Sequence, residues 1–108
     1  MIDERDIFDL LITSQNNLRP SAARLWDAIN IHPEAWEFTD SGRSEKRFWV
    51  VAILGRSAVW YNHIEEGYVL TPFSKWEKLE RYEDAAMPLE YVIEQLLRNI
   101  EGEQKYSP

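Results

Sequence analysis

The chain has 108 residues, with 12 Lys and Arg against 19 Asp and Glu and a formal charge of −7. Phosphate neutralisation supplies most nucleic-acid affinity, so an acidic chain whose one locally basic stretch is "RSEKR" at 43–47 argues against DNA or RNA as a partner. The longest apolar run, "FWVVAIL" at 48–54, falls far short of the roughly 20 residues that cross a bilayer, and the absence of cysteine excludes disulfides and thiolate metal sites.

The length suits one domain spanning 1–108, and a hydrophobic content of 44% with five Trp, five Tyr and four Phe is enough for a packed core. The first ten residues, "MIDERDIFDL", are acidic where an export signal would be basic and then apolar, which points to the cytoplasm. An acidic, aromatic-rich surface suits a basic protein partner through steering and ring anchors; solubility alone also accounts for the acidity.

In chain order, residues 3–18 place Ile7, Leu10, Leu11 and Leu18 on one helical face, with Asp3, Glu4 and Asp6 at the favourable end of the dipole. "NNLRPS" at 16–21 breaks that helix. A second begins near Pro20, with Ala22, Leu25, Trp26 and Ile29 on one side, and "HPE" at 32–34 ends it. "AWEFT" at 35–39 reads as a short edge strand and "DSGRSE" at 40–45 as an exposed loop.

Residues 46–54 and 57–64 are rich in β-branched and aromatic types and are joined by "LGRS" at 54–57. Gly55 at the first central position is the signature of a type II′ hairpin turn. That turn sets Leu54 opposite Ser57, Ala52 opposite Val59, Val50 opposite Tyr61 and Phe48 opposite His63. Gly67 in "IEEGY" is read as the left-handed residue of a second turn, after which Tyr68–Phe73 returns as a third strand. Residues 74–86 read as an irregular arm or a further short strand. Pro88 opens a final helix over Leu89–Ile100, whose apolar residues Leu89, Val92, Ile93, Leu96 and Ile100 recur at helical spacing; the tail from Gly102 is read as frayed.

This register puts Phe48, Val50, Ala52, Leu54, Val59 and Tyr61 on one face, and Trp49, Val51, Ile53, Ala58, Trp60 and Leu70 on the other. Both faces are apolar, so the second needs a cover. The three helices are the first candidate for it and a second copy of the chain is the next.

Candidate chemistry centres on "VWYNHIEEGYVL" at 59–70. Tyr61, Asn62, His63 and Glu65 offer a phenol, an amide, an imidazole and a carboxylate that a ligand site or an enzyme could use. Neighbouring strand residues point to opposite faces, however, so only His63 and Glu65 would share a side. Turn chemistry accounts equally for Glu66 and Gly67. His32 in "IHPE" and His63 lack metal-ligand spacing, and neither a nucleophile elbow nor a phosphate loop is present. No cofactor, metal or catalytic residue is assigned. Among the tryptophans, Trp49 and Trp60 are read as same-face neighbours and, with Trp76, as candidates for an exposed patch.

"FWVVAILGRSAVWYNHIEEGYVL" at 48–70, with "LWDAINIHPEAW" at 25–36, resembles small uncharacterised bacterial proteins that carry a Trp-Tyr-Asn-x-Ile-Glu-Glu-Gly hairpin. No activity comes with this resemblance. It implies an Asp as the common residue at position 63, which speaks against a His-dependent mechanism. The small, acidic, Trp-rich character is also similar in type to immunity proteins that neutralise secreted toxins.

The sequence therefore predicts an α+β protein: an antiparallel meander of three to four strands, preceded by two helices and closed by one. The predicted function is a non-catalytic binding module for a basic protein, of the immunity type, with binding residues among Trp60, Asn62, His63, Glu65, Glu66, Tyr68 and Trp76. A ligand-binding or catalytic site at Tyr61, Asn62, His63 and Glu65 is one alternative. A structural homodimer is the other.

Overall fold

The computed structural model describes residues 1–39 and 46–105, the last three by their backbone alone; the loop expected at 40–45 lies outside the described residues. The first helix, α1 (Glu4–Gln15), starts where Asp3 caps it, its Oδ1 accepting the Asp6 N–H at 2.8 Å, with Glu4 and Asp6 in the first turn. The second, α2 (Pro20–Ile29), has Pro at its first position, where the missing N–H costs nothing. Asn30 ends it with an extended backbone, and its Nδ2 donates to the Trp26 carbonyl at 2.8 Å.

The chain then passes without a loop into β1 (Asn30–Phe38), correcting the expectation that "HPE" separates the helix from a short strand at 35–39. Pro33 is accommodated because the pairing with the next strand is irregular between Asn30 and Glu34, and a strand needs no proline N–H at such a place. The remaining elements are β2 (Arg47–Leu54), β3 (Ser57–Asn62), β4 (Gly67–Pro72), β5 (Lys78–Leu79) and α3 (Leu89–Lys105). α3 runs past the expected end at Ile100 and through Gly102. A single glycine costs a helix only about 1 kcal/mol relative to Ala, and the Glu, Gln and Lys that follow are good helix formers.

The described residues form an α+β fold, with three helices and one mixed sheet in the order β4-β3-β2-β1-β5. β1 to β4 form the antiparallel meander; β5 adds a fifth strand, parallel to β1 at Glu37–Lys78 and Phe38–Leu79. The expectation of three or four antiparallel strands missed this pairing because β5 is only two residues long.

The β2–β3 turn is as expected, with φ +60 at Gly55 and Leu54, Ile53 and Ala52 opposite Ser57, Ala58 and Val59. Beyond Ala52 the register shifts: Val50 pairs with Trp60 and Trp49 with Tyr61, not Val50 with Tyr61 and Phe48 with His63. Val51 is the extra residue of a β-bulge, so Val51 and Ala52 both face the helices and strict alternation fails. The bulge also separates two tryptophans expected on one face. Trp49 packs on the helix side and Trp60 on the other.

Two cores result, one on each sheet face. On the first, Val51, Ala52, Val59, Tyr61 and Tyr68 meet all three helices through Ile7, Leu11, Trp26, Ile29, Leu89, Val92 and Ile93. On the second, Trp36, Phe38, Phe48, Val50, Ala58, Trp60 and Val69 are covered by residues 73–87, here termed the strap, through Phe73, Leu79, Tyr82 and Ala86. The second face is thus covered from within the chain, but by the strap and not by the helices. Each large apolar side chain so buried contributes about 1.5–3 kcal/mol.

Candidate functional site

The strap leaves β4 at Pro72 and is tied first by the Phe73 N–H, which donates to the Arg56 carbonyl at 2.8 Å. A turn at 74–77 follows, closed by Lys78 N–H to Lys75 O at 3.2 Å, with the Ser74 N–H on Glu80 Oε1 at 2.8 Å. Glu77 ends the turn with φ +70, a left-handed conformation that costs a non-glycine residue on the order of 1 kcal/mol or more. Trp76 sits immediately before it. Its ring meets Trp36 at 5.0 Å and Phe73 at 6.0 Å, while Trp36 and Phe73 meet each other edge-on at 5.1 Å. Two buried rings therefore fix one side of Trp76 while 49% of the residue remains exposed.

Further along, the strap crosses the end of the β3–β4 hairpin, and Asn62 joins the two. Its Nδ2 donates to Tyr82 Oη and to the Glu83 carbonyl, both at 3.1 Å, and its Oδ1 accepts from Ile64 and Glu65 N–H at 3.0 and 3.1 Å. Both N–H groups and both lone-pair directions of this fully buried amide are used. Asn62 is a fastener, with no hydrogen-bonding capacity left for a substrate.

Gly67 has a different role from the one expected. The left-handed residue of this turn is Glu66, with φ +56. Gly67 is needed because the strap passes directly over it: a Cβ there would lie 2.8 Å from Ala86 Cβ and 3.0 Å from the backbone of Ala86 and Met87. Next to this crossing, Tyr68 and Met87 exchange two backbone hydrogen bonds, at 2.7 and 2.9 Å.

The other residues singled out in the sequence separate into distinct environments. Trp60 is fully buried, its indole N–H on Thr71 Oγ1 at 3.0 Å, and Tyr68 is buried with its hydroxyl 3.1 Å from Ser14 Oγ. Both are core residues, which corrects the expectation that they anchor a partner; each is closed in by the layer on its own side. Tyr61 packs edge-on against Tyr68 on the helix face. Burial is the main cause that raises both hydroxyls above the ordinary tyrosine value. The Glu66 carboxylate adds to it at Tyr61, and the Ser14 bond works against it at Tyr68. His63 is half-buried and stacks on Phe48 with centroids 4.6 Å apart. Strand β3 stops at Asn62, so His63 and Glu65 are not alternate strand positions. Tyr61, Asn62, His63 and Glu65 consequently do not assemble into one reaction centre.

Glu65 and Glu66 are exposed at the tip, and neither has an ion-pair partner among the described residues. The Asn62 bonds bring the backbone of Glu65 beside that of Glu83, and Asp84 follows, so acidic residues of the tip and the strap meet here, while Lys46 and Arg47 at the start of β2 lie at the same end of the sheet. His32 lies elsewhere, with Nε2 3.0 Å from Glu4 Oε1 and its ring against Phe8. Among the described residues no group of three or more His, Asp or Glu is placed to hold a metal ion, and no helix is long and apolar enough to cross a membrane.

Sequence reasoning missed one surface feature. Phe8 and Ile12 lie off the main apolar stripe of α1 and are 37% and 59% exposed. With Trp26, Ile31 and Pro33 they line a groove of about 360 Å³ between α1 and the start of β1. The available signal was a pair of large apolar residues at i, i+4 outside the stripe that faces the core. Comparison with protein-family models, with curated proteins and with solved structures gives no match for this chain.

Proposed function

We propose that this chain is a non-catalytic protein-binding module for a basic partner, anchored by Trp76 and steered by the acidic hairpin end at Glu65 and Glu66. The observation that carries the reading is the setting of Trp76. A tryptophan left half exposed, wedged by Trp36 and Phe73 and followed by a strained Glu77, is pre-ordered for contact at little further entropy cost. Its open face suits an Arg or Lys side chain, which an aromatic ring attracts by about 0.5–2 kcal/mol. The net charge of −7 and the exposed tip acids, which have no ion-pair partner among the described residues, favour the same partner. Neutralisation of a basic toxin in the cytoplasm, as immunity proteins achieve, is the form of this function that the acidic, Trp-rich character favours.

The test is a binding titration against the product of the neighbouring gene. Trp76→Ala and the double reversal Glu65→Lys/Glu66→Lys should each weaken the complex by about tenfold or more, with the charge reversal acting mainly on the association rate. Circular dichroism should remain unchanged. A complex that survives both changes at full affinity refutes the reading.

A further inference from the structure

A second groove lies on the flank of α1 opposite the one that holds Phe8 and Ile12. Ile2 and Leu10 give it apolar walls, and Asp6, Asp9, Thr13 and Ser14 complete its lining around a volume of about 360 Å³. Ile2 and Leu10 are half-buried against the helix-side core, whereas Asp6 and Asp9 are exposed. The two acids are three residues apart in one helix, so their side chains are neighbours along the groove.

The polar groups of this lining divide into those already engaged and those still open. Thr13 Oγ1 donates to the Asp9 carbonyl at 3.2 Å, and Ser14 Oγ lies 3.1 Å from Tyr68 Oη. The two carboxylates hold no hydrogen bond or ion pair among the described residues; Arg5, the one basic residue of α1, stands a turn before Asp9 and makes no ion pair with it. An apolar trough edged by two open carboxylates matches a group that is apolar along its length and cationic at its end. Lys and Arg side chains have this form, since the stem lies on apolar surface while the head stays in water or meets an acid. A wholly apolar side chain would strip water from the carboxylates without a counter-charge, and an acidic one would be repelled. The groove also continues the acidic half of the surface proposed above: Ser14 meets Tyr68, which follows Glu66 by two residues, and the Tyr68 ring lies 5.1 Å from that of Tyr61.

We propose that this groove receives one Lys or Arg side chain of the basic partner, its stem along Ile2 and Leu10 and its cationic head on Asp6 and Asp9. This rests on the protein-binding reading and adds a second contact to it.

A titration of ¹⁵N-labelled protein with a capped pentapeptide carrying one Lys between glycines tests this. Two control peptides replace that Lys: norleucine keeps the stem without the charge, and diaminobutyric acid keeps the charge on a shorter stem. The Lys peptide should shift the amides of Asp6, Asp9, Leu10 and Thr13 saturably in the millimolar range, and raising the salt should weaken it. Each control should bind about threefold more weakly or worse, and so should the Lys peptide on the double variant Asp6→Asn/Asp9→Asn. Circular dichroism of that variant should match wild type, because neither carboxylate bonds within the fold. Equal binding of the norleucine peptide refutes the charge assignment, equal binding of the diaminobutyric peptide refutes the stem contact, and either result overturns the proposal. No saturable shift at these four amides removes the inference alone, because the protein-binding reading is judged separately by Trp76→Ala. Sedimentation that shows a dimer dissociated by Asp6→Asn/Asp9→Asn gives the groove to a second copy and also overturns the proposal.

Discussion

On one face of the sheet, Val51, Ala52, Val59, Tyr61 and Tyr68 are covered by three helices; on the other, Phe48, Val50, Trp60 and Val69 are covered by the strap, whose regular structure amounts to one two-residue strand. Both covers exclude water from large aromatic side chains. A helix satisfies its own backbone, so it can lie on a sheet with apolar contacts alone. An extended segment cannot, and the strap meets this need at discrete points: Phe73 on Arg56, Glu37 and Thr39 on the strap carbonyls of Glu77 and Leu79, Asn62 on Glu83, and Met87 on Tyr68. The helix side distributes its stability over a surface, whereas the strap side concentrates it at fasteners.

The largest expected effect tests whether the two cores are energetically equivalent. Trp60→Ala on the strap side and Trp26→Ala on the helix side should each cost about 3–5 kcal/mol in urea denaturation, since both rings are buried and both lose an indole hydrogen bond. A much smaller loss for Trp60 would mean that the strap face is loosely closed. Next, Asn62→Ala should cost about 2–3 kcal/mol, because it strands the Ile64 and Glu65 N–H groups and the Glu83 carbonyl at once. A change of the same kind at an exposed asparagine such as Asn17 should be near neutral.

Gly67→Ala should follow at about 1–3 kcal/mol, since the added Cβ meets strap backbone that cannot rotate aside. Its effect should be local, visible as chemical-shift changes at Ala86 and Met87 rather than in the helices. The smallest effect belongs to the helix face and to alkaline pH. Burial raises the Tyr61 and Tyr68 pKa values, so the folded state holds these protons after the unfolded chain has released them. The resulting stability is complete below the ordinary tyrosine pKa near 10 and is lost as pH rises toward the folded values. Tyr68→Phe should flatten the alkaline limb of a stability–pH curve. A curve identical to wild type would show that Tyr68 does not contribute to it.

How much of this was readable in the sequence follows the same division. The helices and the meander announced themselves through periodicity and turn residues: Ile7 and Leu11, Trp26 and Ile29, Leu89 to Leu96, and Gly55 in its turn. The strap did not, because its apolar residues Phe73, Leu79 and Tyr82 obey no period and each packs through a contact far away in sequence. The bulge at Val51 was hidden for a related reason: a run of apolar residues looks alike in either register. Gly67 was legible as essential but not for the right cause, since the close passage of Ala86 is a tertiary fact. Among candidate binding residues, Trp76 was identified within a segment of unknown structure, and Trp60 was misplaced because composition does not reveal which aromatic the strap covers.

The functional reading depends on the strap being a fixed wall, since only then is Trp76 held ready for a partner. Native-state hydrogen exchange measures this directly at the Phe73 and Met87 N–H groups, which bond to Arg56 and Tyr68 across the strap boundary. If the strap is part of the cooperative core, these amides should open with a free energy close to that of the β2–β3 pairs and follow global stability in denaturant. Exchange of both by a low-energy local opening, while β2 and β3 stay protected, would show a strap that lifts away and would contradict the account.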